Sequence, residues 1–446
     1  MIIFFLRRFN DIDHITPIIY RMSMDGHENI KVFCLNTKID ISDDFRCLFL
    51  KEKCNVTVNS VYDAYHPTWI HKLLASYIKW ADSNLSYVIN KTDIISNFTY
   101  ILKKLSNKYL ITESFRSHLC SKFFSEEWAI KMLKKNKASK LVFDRHDPTK
   151  RPLTSAIVIA AKKLNLPIIA VPHGLALMVN DDWTVDKNGN STLINFNDML
   201  KEFDVYLVPD SPFKEKIIRL GANRNMLHVL GSARFCKEWR EILFKIVPKS
   251  NNLHQYSDNS KIKIVMMDHS SQFRLNSEVI FDTIKKLSSL KNVEIIVKPS
   301  TSAQEIRSSG ISSPKLKNII MVDYDTNSIE LIRWADIVIG VTSSILLEPL
   351  LMGTTFIYPK YFHENTMIWE TMDACWTVNN YEELEAALNK IMKFKKYKPY
   401  SDGSVDKLLE EVVYGGDFNR DVLGDYSSFI SSFKTNKIIP DTRYEY

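Results

Sequence analysis

The chain has 446 residues, of which 45% are hydrophobic and 25% charged, with a formal net charge of +7. Its 24 Phe, 19 Tyr and 8 Trp supply side chains for two cores of about 200 residues each, which excludes a disordered polymer. Lys and Arg, 59 against 52 acidic residues, gather only in short clusters such as Lys131 to Lys140 and Lys393 to Lys398, so the concentrated stripe of a nucleic-acid binder is missing. Those clusters read as solvated helix faces, or as attraction to anionic substrates or a membrane surface.

No apolar run reaches the roughly 20 residues that span a bilayer, and Arg7 and Arg8 halt the opening run Met1 to Leu6, which reads as a first strand. The six cysteines include no C-x-x-C pair and no zinc spacing with histidine, so a cytoplasmic protein without a structural metal is expected.

In chain order, strands are predicted at Ile2 to Leu6, Ile30 to Cys34, Lys140 to Phe143, Ile168 to Val171 and Val205 to Val208. Helices fall between them, notably Thr154 to Leu164 with its apolar stripe of Ile157, Val158, Ala160 and Ala161. The stretch from about 67 to 135 lacks strand signals and reads as a helical insertion. A polar segment from Pro248 to Ser260 then breaks the pattern. A second series follows, with strands at Ile262 to Met267, Val293 to Val297, Ile319 to Val322, Ile337 to Gly340 and Thr355 to Tyr358, and a closing helix at Glu382 to Met392. This is an α/β chain of two Rossmann-like parallel-sheet domains, 1–247 and 261–400, facing an interdomain cleft. A helical tail, 401–446, is rich enough in apolar residues to pack back across the first domain.

Open parallel sheets bind ligands outside the carboxyl ends of their strands, so the strand-end residues are the candidates. In the second domain, Thr342, Ser343 and Ser344 place hydroxyls and backbone N–H groups at a strand-to-helix junction suited to phosphate. Glu348, four residues beyond Ser344, is expected on the same helical face, where it can accept hydrogen bonds from a ribose. Lys298 and Ser300 follow the earlier strand Val293 to Val297, where Lys298 could neutralise a phosphate or carboxylate beside the hydroxyls, and His269 sits in the polar burst Asp268 to Ser271. In the first domain, Pro172-His173-Gly174 offers an acid–base imidazole beside a glycine that admits close approach. Asp144 ends the neighbouring strand as a candidate base or nucleophile, and Arg145 could hold an acidic sugar's carboxylate. Asp11 and Asp13, in the loop after the first strand, are rival sources of the carboxylate, and Arg234 in Gly231-Ser232-Ala233-Arg234 is a further cleft candidate.

The stretch Ala335-Asp336 through Gly340 and Ser343-Ser344 to Gly353 resembles the donor-domain signature of GT-B glycosyltransferases. Together with Val-Pro-His173-Gly174, Gly231-Ser232-Ala-Arg234 and Lys298-Pro299, it is similar to bacterial surface-polysaccharide enzymes, particularly capsule and lipopolysaccharide Kdo transferases. Relatives often carry His after Lys-Pro, where this chain has Ser300. The resemblance implies a nucleotide-sugar donor, CMP-Kdo foremost, in the second domain and a glycan or lipid-linked glycan acceptor in the first. It implies a place in the cytoplasm, in contact with the inner membrane face or an assembly complex. Strand-end hydroxyls and Lys298 would then stabilise the leaving phosphate without a metal or other cofactor. If configuration is retained by double displacement, Asp144 is the expected nucleophile, with His173 contacting the phosphate or the reacting sugar. The same fold also accommodates a polyol-phosphate transferase or a nucleotide-sugar epimerase, and a non-catalytic scaffold of polysaccharide assembly is a reading of a different class.

Overall fold

A computed structural model describes residues 1–7, 9–36, 41, 43–78, 120–144, 151–175, 177–180, 183–185, 191–193, 195–249, 261–267, 275–299, 319–323, 326–394 and 397–434. Runs such as Ile-Ile-Phe-Phe-Leu are buried at every position, as strands covered on both faces must be. In chain order the strands of the first sheet are β1 (Ile2–Leu6), β2 (Ile30–Cys34), β3 (Val58–Ser60), β4 (Lys140–Asp144) and β5 (Ile168–Val171). A two-stranded antiparallel hairpin, β6 (Trp183–Val185) with β7 (Ser191–Leu193), interrupts the series before β8 (Val205–Val208) and β9 (Leu227–Val229) complete it. All neighbours in that sheet are parallel, in the order β3-β2-β1-β4-β5-β8-β9.

The second sheet is likewise parallel, in the order β12-β11-β10-β13-β14-β15. Its strands are β10 (Ile262–Met267), β11 (Val293–Lys298), β12 (Ile319–Met321), β13 (Ile337–Ile339), β14 (Thr355–Pro359) and β15 (Trp376–Val378). The chain is thus two Rossmann-like domains with the GT-B arrangement. The order in which strands are added reverses between β1 and β4 in the first sheet and between β10 and β13 in the second, although all strands there run parallel. Both reversals open a crevice at the carboxyl ends of the strands, where this class of sheet binds ligands.

Helices of the first domain that bear on the site include α1 (Phe9–Met24), α2 (Phe45–Cys54), α3 (Glu126–Lys135) and α4 (Lys237–Ile246). Helix α3 buries Trp128, Ala129, Met132 and Leu133 and forms the crossover into β4, so it belongs to the first domain's own layers. Residues 79–119 of the expected insertion lie outside the described residues. Helix α4 is fixed on the first domain by Trp239, which packs against Tyr20 and Phe49.

The last described helices are α5 (Asp402–Tyr414) and α6 (Val422–Ser432), which dock on the first domain. Ser232 N–H donates to the Val413 carbonyl at 2.7 Å, and the Tyr426 hydroxyl donates to the Gly231 carbonyl at 3.0 Å. Gly231 makes this close approach at φ 85°, and a Cβ there would lie 2.5 Å from the Val413 oxygen. The Lys140 amine donates to the Ile430 carbonyl at 2.7 Å, closing the end of α6. Among the described residues no helix is long and apolar enough to cross a membrane.

Candidate active site at the interdomain cleft

Three neighbouring strands deliver the central cluster. Arg7 follows β1 directly, Asp144 is the last residue of β4, and His173 stands two residues beyond β5. The register pairs Phe5 with Phe143 and Asp144 with Val171, which brings the three side chains to one rim. Asp11 joins them from the first turn of α1, where a carboxylate complements the exposed N–H groups of the helix.

The hydrogen bonds specify how the cluster is held. Arg7 grips the Asp144 carboxylate and donates also to the Asp144 carbonyl at 3.0 Å. His173 Nδ1 lies 2.9 Å from Asp11 Oδ1 and 3.0 Å from Asp144 Oδ2. Asp11 Oδ2 accepts from the Arg7 backbone N–H at 2.7 Å. Arg7, Asp11 and Asp144 are buried, and the His173 side chain is only 14% exposed. Two buried carboxylates face one guanidinium, and both favour the protonated form of the imidazole between them. Burial pushes the His173 pKa down, but hydrogen bonds to Asp11 and Asp144 and their charges outweigh it, and the net direction is up. Asp11 is also raised, by burial and by the charge of Asp144.

The two carboxylate sources that sequence reasoning set against each other, Asp11 and Asp144, therefore hold the same imidazole. Asp13 points elsewhere. It is held by Arg46 of α2 and by Arg234, whose Nη1 lies 3.3 Å away. Although burial raises the Asp13 pKa, these cations bring it down to about 2. His14, beside it in α1, is pushed to about 3 by burial and the Arg234 charge and is neutral near pH 7.

From the second domain, Thr342, Ser343 and Ser344 follow β13 as half-buried residues. Ser343 occupies the position before a tight turn at Ser344–Leu346 but makes no side-chain cap, so capping does not account for its hydroxyl. Gly340 admits the turn, since a Cβ there would lie 2.5 Å from Leu346 Cδ2. The turn faces the first domain closely: a Cβ on Gly174 would stand 3.9 Å from Ser344 Oγ. Beyond Gly174 the chain crosses to the second domain, where Val179 N–H donates to the Thr366 carbonyl at 2.8 Å and Ile368 N–H to the Leu177 carbonyl at 2.9 Å. The His173-Gly174 loop is thereby tied to both halves.

Glu348 corrects one expectation. Ser344 lies in a 3-10 turn and the α-helix begins only at Leu347, so the four-residue spacing does not put the two side chains on one open helical face. Glu348 is fully buried, with Arg240 Nε of α4 at 3.5 Å. Burial raises its pKa against the opposing pull of Arg240 and Arg234. Lys298 is buried rather than a loop lysine in water, and its amine donates to the Pro299 carbonyl at 3.1 Å. Arg145, His269 and Ser300 lie outside the described residues.

Sequence reasoning finds no cluster of carboxylates, histidines or thiolates able to hold a catalytic metal, and the fold brings one such group together. Asp11, Asp144 and His173 bring potential ligand atoms within 4.8 Å of one another. Their partners do not fit a cation, because Arg7 already occupies Asp144 and the Nδ1 that would ligate sits at hydrogen-bonding distance from both carboxylates. Chelation with EDTA is expected to leave thermal stability and nucleotide affinity unchanged. Loss of either, restored by a divalent cation, would identify the triad as a metal site.

Arg7, Arg46 and Arg240 are absent from the sequence-derived candidates. Arg7 was accessible to the strand-end rule, since it directly follows an apolar strand. Arg46 has a local partner in Asp44 but meets Asp13 from 33 positions away, and Arg240 meets Glu348 from 108 positions away, contacts that no local pattern reveals.

Comparison with known proteins adds the fold's company. No protein-family model and no curated protein matches the sequence. Solved structures do resemble it along nearly the whole chain. Staphylococcus aureus MnaA, determined with UDP, shares 11% identity over 97% of this chain and 98% of its own, with a TM-score of 0.53. A Listeria monocytogenes protein taken to be a UDP-N-acetylglucosamine 2-epimerase shares 12% over 97% of each chain, with a TM-score of 0.54. Anabaena HepE, determined with UDP and glucose, shares 9% over 97% of this chain and 99% of its own, with a TM-score of 0.52. At these identities the likeness establishes the two-domain fold.

Proposed function

We propose that this chain is an enzyme acting on a nucleotide sugar, with the sugar's reacting carbons at the His173 cluster and the nucleotide phosphates against Thr342, Ser343 and Ser344. The observation that carries the reading is the approach of Gly174 to Ser344, which brings the residue after His173 against the hydroxyl-bearing turn across the cleft. Nδ1 is engaged by the carboxylates, so the other edge of the ring is the one that can give or take a proton. Asp11 and Asp144 orient it and stabilise its charged form, with Arg7 fixing Asp144.

That arrangement favours acid–base chemistry over double displacement. An attacking carboxylate needs a lone pair aimed at the anomeric carbon, whereas both Asp144 oxygens meet Arg7 or His173. Nucleotide-sugar epimerisation, in which a protonated histidine assists departure of the phosphate and acid–base groups move a proton at carbon, therefore fits the site better than a nucleophilic Asp144. The structures with bound UDP favour a uridine nucleotide over CMP-Kdo. Glycosyl transfer is the second reading, favoured by the GT-B arrangement itself, whose first domain would then carry the acceptor.

Calorimetry with UDP, CMP and GDP tests the phosphate site. Ser343→Ala with Ser344→Ala is expected to weaken the preferred nucleotide by about 1.5–3 kcal/mol for each hydrogen bond lost to a charged phosphate. Unchanged affinity would remove the hydroxyl turn from the binding site.

A further inference from the structure

A second surface stands apart from the cleft. Residues 69–78 form a helical stretch that turns His71, Leu74, Ala75 and Ile78 inward, with the His71 ring edge-on to Phe123 and Phe124 at 5.8 and 5.9 Å. Its outer face is apolar: Trp69 is 75% exposed and Leu73 61%, with Ile70 beside them. A tryptophan and a leucine left in water on one turn of helix are unfavourable unless something covers them.

The charge around this face indicates what does. Lys72 lies within it, and Lys122 is exposed next to Phe123. Helix α3 meets the chain at Tyr65, four residues before Trp69, where Trp128 Nε1 donates to the Tyr65 carbonyl at 3.0 Å and the Lys135 amine lies 5.2 Å from the Tyr65 ring centre. It adds Lys131, Lys134 and Lys135 as exposed cations. The nearby acids are Asp63, Glu127 and Glu126, and Lys163 already pairs with Glu126 at 2.6 Å. A helix carrying Trp and Leu at its tip with lysines at its flank matches a bilayer interface, where the indole sits at headgroup depth and lysine amines reach anionic phosphates.

We propose that the Trp69–Leu73 face is a docking surface for an anionic lipid bilayer, through which this chain associates peripherally with a membrane. Apolar insertion and lysine attraction act together, because either alone gives only marginal, reversible binding. This inference does not depend on the chemistry of the cleft.

The full chain is mixed with vesicles of phosphatidylcholine alone or of phosphatidylcholine with phosphatidylglycerol, and sedimented. It is expected to sediment with the anionic vesicles and to be released by salt. Trp69→Ser with Leu73→Ser should reduce partitioning by about tenfold or more, and Lys72→Ala with Lys122→Ala should reduce both binding and its salt dependence. Circular dichroism melting confirms that the variants are folded. Absence of vesicle binding, or wild-type binding by the Trp69/Leu73 variant, overturns the proposal. So does concentration-dependent self-association that the same variant abolishes, which would make the face a contact between copies of the chain.

Discussion

Replacing His173 with glutamine is expected to lower turnover of the preferred nucleotide sugar by roughly 100- to 10,000-fold, the range for loss of a general acid–base group. Nucleotide affinity should stay within a few-fold, because the hydroxyl turn of the second domain is untouched. Glutamine preserves a hydrogen-bonding side chain but carries no titrating proton. The pH profile supplies an independent readout. Burial lowers the His173 pKa and the bonds to Asp11 and Asp144 raise it by more, so the folded value lies above the unfolded one. The ion-pair contribution to stability is then complete below the ordinary imidazole value of about 6.5 and is lost as pH rises through the raised folded value. Activity that needs the imidazolium should fall on that same alkaline limb. A glutamine variant that keeps wild-type turnover would show that His173 has no part in the chemistry.

The second large effect belongs to the Arg7–Asp144 pair. Both side chains are buried, and Arg7 binds the carboxylate and the carbonyl of the same residue. Asp144→Leu alone leaves a guanidinium without its counter-charge and is expected to cost about 3–5 kcal/mol in urea unfolding of the first domain. Arg7→Met combined with Asp144→Leu should recover most of that loss, since a buried ion pair replaced as a whole by apolar side chains is often neutral. The same double variant should remain folded yet be impaired in turnover, because Asp11 alone would then hold the imidazole. If the single and double variants are equally unstable, the destabilisation comes from packing rather than from an unpaired charge.

Strands buried on both faces are plain in the sequence, because runs such as Ile2 to Leu6 and Ile262 to Met267 cannot be amphipathic helices of ordinary length. The short edge strands β3, β9 and β15 are not, since each is three residues with a polar residue in the middle, Asn59, His228 and Thr377, whereas the equally short β12 is wholly apolar and readable. The strand-end rule located Asp144, His173 and the Thr342 to Ser344 turn. It could not say that Asp11 and Asp144 share one imidazole, because that depends on strand register and on the first turn of α1 lying against β4. Glu348 was legible as a residue but not in its setting. Its neighbour Arg240 comes from a helix whose placement is decided by Trp239, Tyr20 and Phe49, all distant in sequence from Glu348. The 3-10 turn before it also broke the helical spacing assumed from the pattern.

Solvent exchange tests the central claim most directly. The chain is incubated in deuterium oxide with UDP-N-acetylglucosamine and with other UDP-, CMP- and GDP-sugars, and the sugars are followed by proton NMR. Acid–base chemistry at His173 predicts that one nucleotide sugar loses a ring C–H signal as deuterium enters, that a second diastereomer accumulates, and that His173→Gln does neither at a comparable rate. Consumption of a donor only when an acceptor glycan is supplied, with no deuterium in the sugar, would contradict epimerisation and assign the cleft to glycosyl transfer.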